Sequence, residues 1–153
     1  MADGYRIRPA VTADIGELVR IERACFSDPW SAQGFLEVLG ARGSLGLIAE
    51  DVHGAATGYL LARSVLDECE ILNLAVIPEV RRHGIGRRLL THALSAIRAA
   101  GVAKAYLEVR PSNEAAQRLY TEFGFRPMGL RPNYYRSPRE DGLVLCLTLE
   151  ATA

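Results

Sequence analysis

The stretch from Ile71 to Ile97 constrains this chain most. Ile71-Leu72-Asn73-Leu74-Ala75-Val76 is an apolar run with the length of a buried strand. Leu89, Leu90, Ala93, Leu94 and Ile97 then recur at helical spacing. Between them lies Arg81-Arg82-His83-Gly84-Ile85-Gly86, two glycines among arginines. A strand, a glycine turn and a helix start present bare backbone N–H groups, the arrangement that receives phosphate. Arg81, Arg82, Arg87 and Arg88 crowd that helix N-terminus, where cations oppose the helix dipole unless an anion is bound. The turn therefore predicts a ligand carrying a pyrophosphate.

Two phosphate-binding designs fit poorly. No Lys-Ser or Lys-Thr pair follows the second glycine, as a P-loop needs. A dinucleotide fingerprint would place a third small residue where Leu89 stands, although Glu108 lies near the expected acidic position. The residues before Ile71 also read as antiparallel strands, whereas a nucleotide-binding half is built from consecutive parallel units.

Tyr5 to Arg8 alternates as a first strand. Thr12 is placed to cap a helix bearing Ile15, Leu18, Ile21 and Cys25, and Ser31 to cap a shorter one bearing Phe35, Leu36 and Leu39. Ser44–Glu50 and Thr57–Ala62 read as strands joined across Asp51-Val52-His53-Gly54. After the strand Cys69–Val76 and the helix to Ala100, Gly101 stands as a left-handed C-cap. Ala103–Val109 is a strand, Asn113 starts a helix carrying Ala116, Leu119, Tyr120 and Phe123, and Phe125–Leu130 and Leu143–Leu149 are the last strands. This order predicts one α/β domain over residues 1–153: a mixed, mostly antiparallel sheet of about seven strands with helices on both faces.

With 18 Lys and Arg against 18 Asp and Glu the net charge is zero, so bulk charge points to neither nucleic acid nor an anionic membrane. No apolar run is long enough to span a bilayer, and Met1-Ala2-Asp3-Gly4 lacks the pattern of a signal peptide. Cys25, Cys69 and Cys146 are scattered and odd in number, which suits reduced thiols in the cytoplasm. They make no metal-ligand spacing with His53, His83 and His92, so no metal is expected.

The pattern Arg/Gln-x-x-Gly-x-Gly/Ala between strand and helix resembles the acetyl-coenzyme A signature of the GCN5-related N-acetyltransferases. Further stretches resemble the RimI-type N-terminal acetyltransferases within that family. They are Pro29-Trp30-Ser31, Asp67-Glu68, Asn73 to Val76, Leu107-Glu108-Val109-Arg110, Ser112-Asn113, Leu119-Tyr120, Phe123-Gly124-Phe125 and Asn133-Tyr134-Tyr135. The resemblance implies the family's fold, its sheet splayed near Val76 and Glu108, with acetyl-CoA as donor. It implies that Glu108 is the general base and Tyr120 the general acid that protonates the departing thiolate. It further implies donor contacts from Leu74, Ala75, Val76, Arg81, Arg82, His83, Gly84, Ile85, Gly86, Arg87, Asn113 and Tyr120. Trp30, Glu70, Tyr134 and Tyr135 would form the acceptor wall. The implied acceptor is the N-terminus of a small-subunit ribosomal protein, attacked directly in a ternary complex by a monomer or weak dimer.

Each residue also has a plainer role open to it. Glu108 could be a solvated strand-end charge, Tyr120 a core aromatic, Asn113 a helix cap, and the Tyr134-Tyr135 pair a cover for the core edge. Asp67, Glu68 and Glu70 could attract a cationic N-terminus or form a solvated loop. A lysine or small-amine acetyltransferase and a non-catalytic acetyl-CoA-binding module are the rival functions. Glu140-Asp141-Gly142 departs from the family's frequent Glu-Asp-Ala, and the loop Arg136-Ser137-Pro138-Arg139 is short. Both differences fall on the acceptor side.

Overall fold

The computed structural model describes residues 4–149. Met1 to Asp3, read above for a leader, and the residues from 150 onward lie outside the described part. The elements run β1 (Arg6–Pro9), α1 (Ile15–Cys25), α2 (Ala32–Gly40), β2 (Ser44–Glu50), β3 (Ala56–Val65), β4 (Glu68–Val76), α3 (Ile85–Ala99), β5 (Lys104–Val109), α4 (Glu114–Glu122), β6 (Arg126–Arg136) and β7 (Arg139–Thr148). The strands form one sheet in the order β1-β2-β3-β4-β5-β7-β6. Only β4 and β5 run parallel; the other neighbours are antiparallel. The mixed sheet expected from the order of elements is thus present.

Amphipathic helices cover both faces. Ile85, Leu89, Leu90, Ala93, Leu94 and Ile97 are buried on α3, and with Tyr120 of α4 they pack against Ala105, Leu107 and Val109 of β5. On the opposite face Leu18 and Ile21 of α1 and Phe35 of α2 pack on Ile48, Tyr59 and Leu61. Burying side chains of this size contributes about 1.5–3 kcal/mol each. That second layer sits over β2, β3 and β4. Because side chains alternate along a strand, Glu70 and Glu108 point to that same face, flanked by Cys69, Ile71, Leu107 and Val109, which point to the α3 side.

Ser31 caps α2 as expected, its Oγ accepting from Gly34 N at 3.2 Å, and Gly101 is left-handed at φ +89°. Thr12 does not cap α1. Residues Thr12–Asp14 form a 3₁₀ turn, and the Asp14 carboxylate accepts instead from Val11 N at 2.8 Å. Asp14 also receives Arg8 Nη2 at 2.8 Å, while Arg8 Nε reaches Glu50 at 2.9 Å.

Two departures from regular pairing shape the site. Between β3 and β4 the register passes from Leu61↔Asn73 to Ala62↔Ile71, so Leu72 is an extra residue. The bulge turns Leu72 and Asn73 to one face and resets the alternation before Leu74. Between β4 and β5 only Glu68–Glu70 pair with Lys104–Tyr106. Beyond that point the two strands part, and the edge of β4 from Ile71 to Val76 stands open toward β5.

Candidate active site

The donor end begins where β4 leaves the sheet. Ile77 N donates to Thr57 O of β3 at 2.9 Å, so residue 77 faces β3. Successive peptide groups on a strand face opposite edges. Val76 and Leu74 therefore turn their N–H and C=O toward the splay, and Ala75 turns toward β3. The Val76 carbonyl confirms this orientation: it accepts Arg81 Nε at 2.9 Å and Cys25 Sγ at 3.3 Å. Of the three residues expected to offer backbone groups, Leu74 and Val76 can do so.

The turn after β4 holds two left-handed residues, Arg82 at φ +69° and Gly84 at φ +81°. Glycine adopts this conformation freely, whereas at Arg82 it costs about 1–2 kcal/mol. Left-handed steps curl successive N–H groups toward one side. Gly84 is the N-cap of α3 and supplies no side-chain oxygen, so the first-turn N–H groups, Ile85 and Gly86 among them, face outward uncapped. This is a cradle suited to a pyrophosphate. Three of the arginines have partners within the chain, and one of these, Arg87, is paired with a carboxylate. Arg81 binds the Val76 carbonyl, Arg87 pairs with Glu122, and Arg88 donates to Tyr5 O at 2.6 Å. His83 Nδ1 lies 3.1 Å from the Tyr5 hydroxyl.

A second concave region lies on the face bearing Glu108. A cleft of about 650 Å³ there is lined by Arg63 of β3, Glu68 and Glu70 of β4, Tyr106 and Glu108 of β5, and Arg131 of β6, among others. The Glu108 side chain is 10% exposed. Burial first, and the nearby Glu70 carboxylate second, push its carboxyl above the usual range, while Arg131 opposes the shift. Glu108 is therefore a half-sheltered carboxyl beside a second carboxylate, and not a solvated strand end.

Tyr120 projects from α4 into the main core, its ring 5.7 Å from that of Phe125 and the residue 7% exposed. Burial pushes its phenol well above the usual value, with Tyr135 adding to the shift. Asn113 caps α4, its Oδ1 accepting from Ala116 N at 3.1 Å. Tyr134 and Tyr135 meet edge to face at 4.9 Å on β6, and Arg110 lies 4.3 Å over Tyr135. Burial pushes Tyr135 up to about 12. Glu140 fixes this wall to the β5–α4 loop by accepting Ser112 Oγ at 2.7 Å and Arg110 Nη1 at 3.1 Å. Ser27, in the α1–α2 loop, donates to the Ser137 carbonyl and joins that loop to the β6–β7 turn. Trp30 packs on Phe35 at 5.5 Å and is not among the residues that line the cleft.

Three features escape the sequence pattern. Arg131, 3.3 Å from Glu108, sits in a strand with no readable alternation. Cys25 brings a thiol to the Val76 carbonyl, and burial pushes that thiol up. Glu22, 2% exposed on α1, accepts from the Tyr59 hydroxyl, from Asn73 Nδ2 at 3.1 Å and from Trp30 N at 2.9 Å. That network ties α1 to the bulged part of β4. A glutamate on an otherwise apolar helix face was the available signal for it. Among the described residues no group of three or more His, Cys, Asp or Glu could hold a metal ion. No described helix is long and apolar enough to cross a membrane.

Known proteins share this arrangement. Residues 15–125 match the model of the acetyltransferase (GNAT) family. The chain is 35% identical over 140 residues to the ribosomal protein bS18-alanine N-acetyltransferase of Escherichia coli K12, covering 90% of this chain and 93% of that one. It is 30% identical to an N-alpha-acetyltransferase of Sulfolobus acidocaldarius, covering 95% and 93%. The crystal structure of the Escherichia coli ribosomal-protein-S18-alanine N-acetyltransferase superposes with a TM-score of 0.90 at 32% identity, covering 97% of this chain and 96% of that one.

Proposed function

The chain belongs to the acetyltransferase (GNAT) family and is an acetyl-CoA-dependent N-acetyltransferase, and on that premise we propose that its acceptor is a protein N-terminus, the α-amine of an alanine on a small-subunit ribosomal protein of the bS18 kind. The observation that carries this reading is the sheltered Glu108 carboxyl, which faces an open cleft beside the splayed edge of β4.

The uncapped turn around Gly84 and the N–H groups of Leu74 and Val76 would hold acetyl-CoA, which supplies an acetyl group activated as a thioester. The amine must be neutral to attack. For an α-amine with a pKa near ~8, losing the proton at neutral pH costs roughly 1.4 kcal/mol; for a lysine near ~10.4 it costs about 4.6 kcal/mol. A carboxylate at its ordinary value is a weak base for either. The raised position of Glu108 narrows the gap for the α-amine, directly or through one water. The N–H of Val76 stabilises the negative charge that develops on the acetyl oxygen.

Tyr120 holds a phenolic proton and donates it toward the departing sulfur. Its high pKa keeps that proton in place until a thiolate forms. Transfer is direct. Cys69 is buried, the Cys25 thiol is held protonated by burial with its Sγ on the Val76 carbonyl, and Cys146 lies on β7 opposite Tyr106, where β4 and β5 are still paired and short of the splay, so none is poised as an acyl carrier.

The test is coenzyme A release with a panel: alanine-started peptides, the same peptides with blocked N-termini, lysine-bearing peptides and small amines. Turnover confined to free N-termini is expected. Equal turnover with blocked, lysine-bearing peptides would assign a side-chain acceptor, and tight acetyl-CoA binding without any turnover would leave a binding module.

A further inference from the structure

Arg131 reaches across from β6 to Glu108, Nη1 to Oε1 3.3 Å. The two ends of this ion pair differ: the Glu108 side chain is 10% exposed and that of Arg131 is 58% exposed. A long, largely solvated cation can swing into water at little cost to itself, but the sheltered carboxylate it leaves then needs another cation in its place. Its position is nonetheless defined. The guanidinium lies 5.6 Å from the centre of the Tyr134 ring. That ring sits close against β7 because position 142 is glycine: a Cβ there would stand 3.0 Å from both Cβ and Cγ of Tyr134. The backbone between the two side chains is bulged, with four steps from Arg131 to Tyr135 set against two from Gly142 to Glu140. Asn133, left-handed at φ +53°, pins the bulge by donating its N–H to Asp141 Oδ1 at 2.8 Å.

Around Glu108 stand Glu70 from β4, Tyr134 and Tyr135 from β6, Tyr106 beside it on β5, and Arg63 from β3 along the same cleft. Arg131 is the cation in direct contact with Glu108, and it enters from the cleft, the side by which an acceptor must arrive. We propose that Arg131 is an internal stand-in for the acceptor's α-ammonium, a displaceable counter-ion that occupies Glu108 in the free enzyme and yields to an incoming cationic N-terminus. This rests on the reading of Glu108 as the base. It makes Arg131 a positioning residue: it keeps the carboxylate ionised and aimed while the cleft is empty, and an acceptor without a cationic amine does not dislodge it.

The experiment is steady-state kinetics with an alanine-started peptide and acetyl-CoA, comparing wild type, Arg131→Gln, Arg131→Lys, Glu108→Gln and the Glu108→Gln/Arg131→Gln double variant. Removing the competing cation should lower the peptide KM about three- to fivefold, the worth of a partly exposed ion pair. The KM for acetyl-CoA should not move, and the acidic limb of the rate profile should shift to higher pH. Arg131→Lys should restore both peptide KM and limb toward wild type, and the Glu108→Gln background should abolish the KM effect. A peptide KM that rises or stays unchanged in Arg131→Gln, while Glu108→Gln slows transfer, overturns the counter-ion role alone. Unchanged transfer in Glu108→Gln overturns the base assignment and this inference with it.

Discussion

On the proposed reading, replacing Glu108 by Gln removes the base and leaves its shape, and the pH dependence of the loss separates a base from a merely structural group. The Glu108 side chain is 10% exposed, and burial together with Glu70 holds its carboxyl above the ordinary carboxylate range. A positioned base of this kind contributes roughly 10²–10⁴ in rate. At pH 7 an α-amine with pKa near ~8 is only about one-tenth neutral; by pH 9 it is mostly neutral. The variant depends on that neutral fraction alone, so its deficit should shrink by about tenfold, or ~1.4 kcal/mol, between pH 7 and pH 9. Wild type should also lose rate at low pH, on a limb lying above the usual carboxylate range, where Glu108 takes up its proton; the variant should lack that limb. Coenzyme A release with an alanine-started peptide, followed from pH 5 to 9.5 at saturating acetyl-CoA, gives both profiles. Parallel curves, offset by the same factor at every pH, would refute the base role.

Three further outcomes follow from other parts of the structure. Tyr120→Phe keeps the ring against Phe125 and so should unfold within about 1 kcal/mol of wild type, yet slow transfer by roughly 10²-fold; an unchanged rate returns Tyr120 to a packing role. Cys25→Ser should leave turnover in place, and mass spectrometry of the working enzyme should find no acetyl on the protein; loss of turnover with acetyl trapped on Cys25 in wild type would replace direct transfer by a two-step route. Arg8 pulls the Asp14 carboxyl below the usual range, and Arg6 first and Arg8 second do the same to Glu50. Stability from depressed carboxyls is present above their unfolded pKa, near ~4, and is lost as pH falls through the folded values. Arg8→Met should thus cost about 1 kcal/mol at pH 7 by urea denaturation and progressively less below pH ~4; an equal cost at both would exclude the ion pair as its source.

The parts of the fold that bury a regular stripe were legible. β2 runs from Ser44 to Glu50 as its pattern requires, Ser31 and Asn113 cap helix starts through their side-chain oxygens, and Gly101 follows the end of α3 in a left-handed conformation. The edge hairpin was not. β6 extends to Arg136 and β7 starts at Arg139, well beyond the expected strands, because most of β6 is exposed and carries no apolar alternation to read. Pro127, Pro132 and Gly129 are tolerated there since an edge strand can forgo ladder bonds. The bulge at Leu72 was hidden for a different reason. A run with a single polar residue, Asn73, carries too little alternation to fix its phase, so the shift between Ile71 and Leu74 could not be read from it.

The site divides in the same way. The glycine turn, Glu108 and Tyr120 stand in local patterns, and the chain folds them where those patterns suggest. Side-chain partners set by tertiary contact were beyond such patterns. Arg81, Arg87 and Arg88 meet Val76, Glu122 and Tyr5, and Arg131 meets Glu108 across a sheet edge. Gly142, a departure visible in sequence, acquires its physical meaning only when the Tyr134 ring is seen against it.

Locating the transferred acetyl group tests the central claim most directly. A peptide with a free N-terminal alanine and an internal lysine, incubated with the enzyme and acetyl-CoA at pH 7, is fragmented by tandem mass spectrometry. The account predicts acetyl on the alanine α-amine in wild type, strongly reduced in Glu108→Gln. Acetyl chiefly on the lysine, or undiminished transfer without Glu108, would contradict it.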